Sequence, residues 1–410
     1  MKIAHVTLYP PKGKKHISSS GVASYSKNLV THIGDQAEQV VVCDAIRGKQ
    51  EVYEENGVTV HRIFERKPGF VVKVHQELNK IRPDVVHIQQ ELALFGGVIT
   101  AYLLQWLVFL WRKKAVVTIH GVVDPILIDK TFVKENNSRL PVWLVKLAFY
   151  VIYTPLMTWA HRIIVHEQQF KDIAVNSYGI DADKIVVIPH GIEMFEAMDV
   201  REARDALMLP HDKEVALFMG YATGYKGIDL LIEGFAEYAK NHPNAYLIIG
   251  AGEHPKLKND AAYLREYARL QTKASELLDP HQYRWEGFIK EVEIPVYYSA
   301  SDVSLYPYTT ALSSSGPMSF AIGYEKPFLV STAFGSVFKQ YSQLLFEKTP
   351  AKMAKRLDYF FSHRSEYNVV SRELKQARSW QRVSSRTLQV YNDSGDQEGV
   401  YETEKSPTAG

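Results

Sequence analysis

The strongest constraint on this chain is its rhythm of short apolar runs alternating with longer segments of helical periodicity. In the first half the runs fall at 2–8, 39–43, 84–89, 115–119, 162–166 and 185–188. In the second half they fall at 214–219, 245–249, 283–286, 303–306 and 328–330. Runs that are apolar throughout belong to strands covered on both faces, and strand–helix alternation builds a parallel sheet. Two such sets meet near Pro189-His190-Gly191. They predict an α/β protein of two doubly wound, Rossmann-like domains, 1–190 and 191–372, facing each other across a cleft. Residues 371–390 read as one amphipathic helix, and 392–410, polar and without apolar periodicity, as a disordered tail.

Composition narrows the function. With 410 residues, 46% hydrophobic and 23% charged, the chain can bury two cores. A net charge of +2 provides no global field for nucleic acid, and no nucleic-acid partner is expected. The charge is uneven: residues 1–190 hold 23 basic and 17 acidic side chains, against 25 and 29 in 191–410. The first half is therefore the one expected to meet something anionic. Cys43 is the only cysteine, which excludes an internal disulfide and a zinc-finger or iron–sulfur role. The start of the chain shows no cleavable signal pattern, so a cytoplasmic, reducing location is expected.

Two apolar stretches bear on location. Residues 92–111 carry no charge, reach transmembrane length and run into Arg112-Lys113-Lys114. They lie between two predicted strands of one sheet, so a true span would tear the domain apart. Residues 147–160 are shorter and broken by Pro155. Both read either as buried crossover helices or as a surface that dips into a membrane interface, rich in aromatics with basic flanks. Their place in the basic half favours peripheral contact through the N-terminal domain, at the inner face of a membrane.

Several loops have the residues to hold an anion. Gly220-Tyr221-Ala222-Thr223-Gly224-Tyr225-Lys226-Gly227 joins a predicted strand to a predicted helix. Its glycines would let backbone amides approach a phosphate, and Lys226 adds a full charge. The plainer reading is a Gly-rich turn with an exposed lysine. Ser313-Ser314-Ser315-Gly316-Pro317 opens another helix, and alone is only a well-capped one. Ser18-Ser19-Ser20-Gly21 opens the first helix after a loop bearing Lys12, Lys14, Lys15 and His16. His120 and Gln90-Glu91 each end a predicted strand, where α/β active-site residues stand. A structural histidine and a capping glutamate are the bland alternatives.

In this order the segments resemble the retaining glycosyltransferases of family four, which have the GT-B fold of two Rossmann-like domains. The best-matching pieces are SSSGVASYSKNL (18–29), PDVVHIQQELALFGG (83–97), AVVTIHG (115–121), RIIVHEQQFKD (162–172), DKIVVIPHGIE (183–193), FMGYATGYKGIDLLIEGF (218–235), YLIIGAGEHP (246–255), WEGFIKEVEIPVYYSASDVSLYPY (285–308) and SSSGPMSFAIGYEKPFLVS (313–331). The resemblance covers roughly 1–392. It implies transfer of a hexose, mannose or glucose, from a nucleotide diphosphate sugar to a hydroxyl of a lipid-linked or growing saccharide, with retention and without metal or other cofactor. Lys226 and His120 would then act in catalysis, His120 near the reacting carbon. Gly21, Gly220, Thr223, Lys226, Glu253, Ser314, Ser315 and Gly316 would bind the donor. Glu91, Lys14 and Lys15 would face the acceptor, and the piece 373–391 would cross back to the first domain.

Two departures stand out. The paired glutamates common in the family correspond to Leu312 and Phe320, and the chain resembles instead the subset with a Ser-Gly pair, Ser315-Gly316. Thr223 stands where a second cation usually accompanies the lysine. A binding or scaffold subunit of a glycan assembly complex is therefore the rival reading. A sugar-nucleotide epimerase is a further one, for which no suitable carboxylates are identified.

Overall fold

The computed structural model describes residues 1–14, 20–135, 139–255, 257–310 and 315–395. The chain divides into two compact units, Met1–Pro189 with the chain from Trp380 onward, and His190–Ser379. Each is a Rossmann-like α/β unit built on one sheet, with helices over it.

The first sheet contains β1 (Lys2–Val6), β2 (Glu38–Asp44), β3 (Glu51–Glu55), β4 (Val58–Phe64), β5 (Val85–Gln90), β6 (Ala115–Ile119), β7 (Arg162–Val165) and β8 (Ile185–Val187). Their order is β3-β4-β2-β1-β5-β6-β7-β8, parallel except for the β3–β4 pair. The direction of winding reverses between β1 and β5, so the loops that follow these two strands border the natural ligand position of the sheet. The β3–β4 hairpin has no counterpart among the predicted strands. Its local signal is Asn56-Gly57, both at positive φ (51° and 76°), as a two-residue turn that matches strand twist requires. Along β4 buried and half-buried residues alternate, because only one face of this strand meets the core.

The second sheet contains β9 (Glu214–Tyr221), β10 (Ala245–Gly252), β11 (Tyr283–Trp285), β12 (Val303–Tyr306), β13 (Phe328–Ser331) and β14 (Leu345–Phe346), in the order β11-β10-β9-β12-β13-β14 and parallel throughout. Here the reversal lies at β9 and β12. The end of β9 and the loops after these two strands carry Gly220–Gly227 and Ser315.

Three expectations are corrected. The single helix over 371–390 is two, Arg364–Ala377 and Trp380–Gly395. The break falls where Arg378 accepts a backbone hydrogen bond from Ile192 (2.9 Å) and Ser379 forms a parallel bridge with Ile192, a tertiary pairing that competes with helix continuation. Trp380 then begins the helix that packs on Gly21–Ile33 of the first unit, with His32 stacked on the indole (6.0 Å). The expected tail from 392 is helical through Gly395, and the remainder lies outside the described residues. Pro155 does not break its segment, which is one helix, Val142–Trp159. The carbonyl that loses its partner belongs to exposed Val151, where water can serve it. The other apolar stretch contains a 13-residue helix, Val98–Leu110, too short to span a bilayer. Among the described residues one helix, Val142–Trp159, is long and apolar enough to cross, and 33% of it is buried in the unit.

Candidate functional site

The second unit brings three loops together. Near the end of β9 stands Gly220, whose φ of 153° few side chains adopt, and a single 3-10 turn, Gly224–Lys226, leads to Gly227 at φ 68°. A Cβ on Gly227 would lie 1.9 Å from the Pro307 carbonyl oxygen, so the turn is pressed against the loop that follows β12. That packing directs Lys226 inward, and it is 7% exposed. Its ammonium donates to the Tyr308 hydroxyl (2.5 Å) and lies 4.0 Å from the centre of the Tyr308 ring and 5.0 Å from that of Tyr225. Tyr308 in turn shares a hydrogen bond with Ser315 Oγ (2.8 Å). Ser315 caps the helix Gly316–Gly323, accepting from Met318 N at 3.5 Å, and Tyr298 and Tyr306 both donate to the Pro317 carbonyl. A Cβ on Gly220 would stand 3.9 Å from both Lys226 Nζ and Pro317 Cγ. Gly220, Lys226, Ser315 and the start of the Gly316 helix are thus one place.

Among the described residues none forms an ion pair with Lys226, and burial pushes its pKa down to about 8. An anion beside it would restore the charged form and draw the pKa up again. The sign of the pH dependence follows. Below pH 8 the free lysine is already charged and anion affinity is flat. Above pH 8 binding must take up a proton, so affinity falls by about tenfold per pH unit until the bound-state pKa is reached. Titration calorimetry with a nucleoside diphosphate in buffers of different ionisation heat should show no proton uptake at pH 6.5 and net uptake at pH 9.

Thr223 begins the same turn, and its Oγ1 is buried without a hydrogen-bond partner among the described residues. Glu253 is exposed just beyond β10 and makes no recorded contact with Lys226. Close to it, Tyr221 lies parallel to Phe288 (5.9 Å, 11°) and edge-on to His254 (5.2 Å). Gly252 permits this, since its Cβ would meet that of Phe288 at 2.8 Å, and Phe288 is left 62% exposed. Ser314, Leu312 and Lys15 lie outside the described residues. Phe320 packs on Phe195 (5.5 Å) and Tyr298 (6.1 Å).

In the first unit His120 follows β6 and is half-buried. The Ile188 carbonyl, which can only accept, receives a hydrogen bond from His166 Nδ1 (3.0 Å). His166 Nε2 lies 3.2 Å from His120 Nδ1, and His120 Nε2 lies 2.8 Å from Gln89 Oε1, so the three side chains form one hydrogen-bonded row. The Tyr25 ring meets His120 edge-on at 4.9 Å. Glu91 is exposed after β5, and Gly21 is the exposed first residue of its helix, where a Cβ would meet nothing within 4 Å. Lys14 is exposed at the end of a loop pinned by Gly13 N donating to Glu55 (2.8 Å), itself paired with Lys27 (2.6 Å). Glu91, Gly21 and Lys14 border the β1/β5 reversal without forming a hydrogen-bonded group. Tyr308, Gln89 and His166 were not singled out from the sequence. For His166 a signal existed, because it directly follows β7 as His120 follows β6.

Comparison with known proteins decides the family. The model described as Glycosyltransferase Family 4 matches residues 19–194, and that of Glycosyl transferases group 1 matches 199–376. The chain belongs to the family-four glycosyltransferases. Its fold is GT-B. Among curated proteins it is 24% identical over 317 residues to alpha-monoglucosyldiacylglycerol synthase of Acholeplasma laidlawii, which covers 71% of this chain and 72% of that protein. It is 24% identical over 135 residues to mannosylfructose-phosphate synthase of Agrobacterium fabrum, covering 32% and 29%. Of solved structures, sucrose-phosphate synthase from Thermosynechococcus elongatus superposes with a TM-score of 0.67 at 16% identity, covering 96% of this chain and 98% of that one. HepE of Anabaena, solved in complex with UDP, gives 0.65 at 15%, covering 96% and 100%.

Proposed function

We propose that this glycosyltransferase moves a hexose, glucose or mannose, from a nucleotide diphosphate sugar to a hydroxyl of a lipid-linked or growing saccharide, retaining the anomeric configuration. The observation that carries this reading is the desolvated Lys226 ammonium, held by Tyr308 beside Ser315 and Gly220, with no ion-pair partner among the described residues. Negative charge grows on the leaving β-phosphate as the glycosidic bond breaks, and a fixed cation in a dry site stabilises that growth more than it stabilises the bound donor. Ser315, the Gly316 amide and the unpartnered Thr223 hydroxyl supply further donors to the diphosphate. In this scheme the leaving phosphate takes the acceptor proton, and no metal is called for.

The first unit supplies the acceptor side. His120, oriented by His166 and Gln89, contacts the sugar near the reacting carbon, and Glu91 and Lys14 meet the acceptor. The acceptor is presented at the inner face of a membrane, with the protein itself cytoplasmic. The exposed Phe288 ring stacks on the nucleobase, with Glu253 nearby.

A thermal-shift panel of UDP-, GDP- and ADP-sugars tests the donor assignment. One donor is expected to stabilise the protein sharply. Phe288→Ala should weaken that donor about tenfold, as loss of an aromatic stack of about 1–3 kcal/mol implies. A flat response across the panel would remove the nucleotide-sugar reading.

A further inference from the structure

Neither of the apolar helices of the first unit carries an acidic residue, and Lys146 is their one charge. On Val98–Leu110 the residues Val98, Tyr102, Trp106 and Leu110, four apart and so on one face, are 38 to 56% exposed. On Val142–Trp159, Trp143, Leu147, Tyr150 and Val151, spaced to share one side of the helix, are 40 to 66% exposed. The two helices adjoin where Trp159 meets Trp106 (5.8 Å) and Phe109 (5.0 Å). Soluble surfaces seldom leave so many large rings and aliphatic chains together in water.

The surroundings are cationic. Exposed Arg112 and Lys113 follow the first helix, and Lys130, Arg139 and Lys146 flank the start of the second. Over residues 92–160 the sequence holds seven basic and three acidic side chains. Lys130 and Lys146 stand at a cavity of about 570 Å³ whose other walls include Val133, Leu140 and Trp143. Apolar walls between two ammonium groups suit an amphiphile with an anionic head.

We propose that this surface docks in the plane of an anionic phospholipid bilayer, the exposed rings at the interface and Lys130 and Lys146 on lipid phosphate. This rests on, and makes specific, the membrane-facing part of the function proposed above. The second helix cannot instead cross the bilayer, because Phe149, Tyr153, Leu156 and Met157 are buried in the unit and the Tyr153 hydroxyl donates to the Gly121 carbonyl (2.9 Å). A second copy fits poorly, since two-fold pairing would bring the same lysines towards each other. Tyrosine and tryptophan beside lysine and arginine are the residues that settle at the level of lipid headgroups.

The test uses the full chain and sucrose-loaded vesicles of phosphatidylcholine, with or without phosphatidylglycerol at about 30%. Sedimentation with the anionic vesicles, weakened severalfold when ionic strength is raised tenfold, is expected. The double substitution Trp143→Glu with Leu147→Glu should reduce partition at least about tenfold, with unchanged thermal stability and donor binding. No sedimentation at low salt, or sedimentation that the substitutions do not affect, overturns the proposal. So does a concentration-dependent dimer that the substitutions dissolve while vesicles are ignored. If the variant does not fold, the unmodified protein decides: tryptophan quenching by lipids brominated on the acyl chain supports the dock, and its absence overturns it. None of these readings requires turnover, so the dock and the transferase assignment can fail separately.

Discussion

Lys226→Ala is expected to lower kcat/KM for the nucleotide sugar about 100-fold while the protein stays folded. Removal of one preorganised donor at a developing oxyanion typically costs about 2.7–4 kcal/mol of transition-state stabilisation. Lys226 is a full charge in a site that excludes most water, so the loss should lie in that range or above it. Stability should behave oppositely. The ammonium is 7% exposed and its pKa is driven down by burial alone, which means that the folded protein bears a cost for holding it charged. Once it is gone, Tyr308 and Ser315 still satisfy each other at 2.8 Å. Lys226→Met, which fills the space without the charge, should therefore match the activity loss and leave the melting temperature unchanged or raised. Steady-state kinetics and thermal melts of the two variants make the check. Near-normal turnover in either would show that the site does not hold the diphosphate.

Gly227→Ala should have the largest effect on folding. Two penalties coincide at this position. Its φ of 68° strains any side chain, and the added Cβ would lie 1.9 Å from the Pro307 carbonyl oxygen, a backbone atom that cannot step aside without moving the loop after β12. The expected destabilisation is at least about 2 kcal/mol, read as a lowered urea midpoint. Gly316→Ala is the control, because a Cβ there meets nothing within 4 Å, and it should stay within about 0.5 kcal/mol of the parent. Comparable midpoints for the two variants would mean that the turn is not pressed onto Pro307 as described.

The contrast between these glycines shows what the sequence could and could not reveal. Both sit where a strand-to-helix loop opens a helix, and nothing local distinguishes the one that is sterically locked. The lock is formed by Pro307, 80 residues away in the chain. Lys226 was legible as a cation in a phosphate-type loop, whereas its partner Tyr308, 82 residues on, was not, because long-range pairing leaves no periodic trace. The inner strands, such as β6 and β12, were read to the residue because burial on both faces makes them apolar throughout. The hairpin of β3 and β4 was lost among polar residues, since half of its side chains face away from the core. The break at Arg378-Ser379 depends on Ile192, again a contact that no local propensity encodes. His120 was found from its place after a strand, but its orientation is set by His166 and Gln89, contributed by β7's end and by β5.

The central claim is that the chain transfers a hexose, not merely that it binds a nucleotide. The most direct measurement is nucleoside diphosphate release from the stabilising sugar nucleotide, with and without membrane extract as acceptor. The anomeric configuration of the product is read by NMR. The account predicts release that depends on the acceptor, an axial or equatorial linkage matching that of the donor, and loss of both signals in Lys226→Ala. Donor binding without release, in an extract shown to contain the acceptor, would contradict it and mark the chain as a binding subunit.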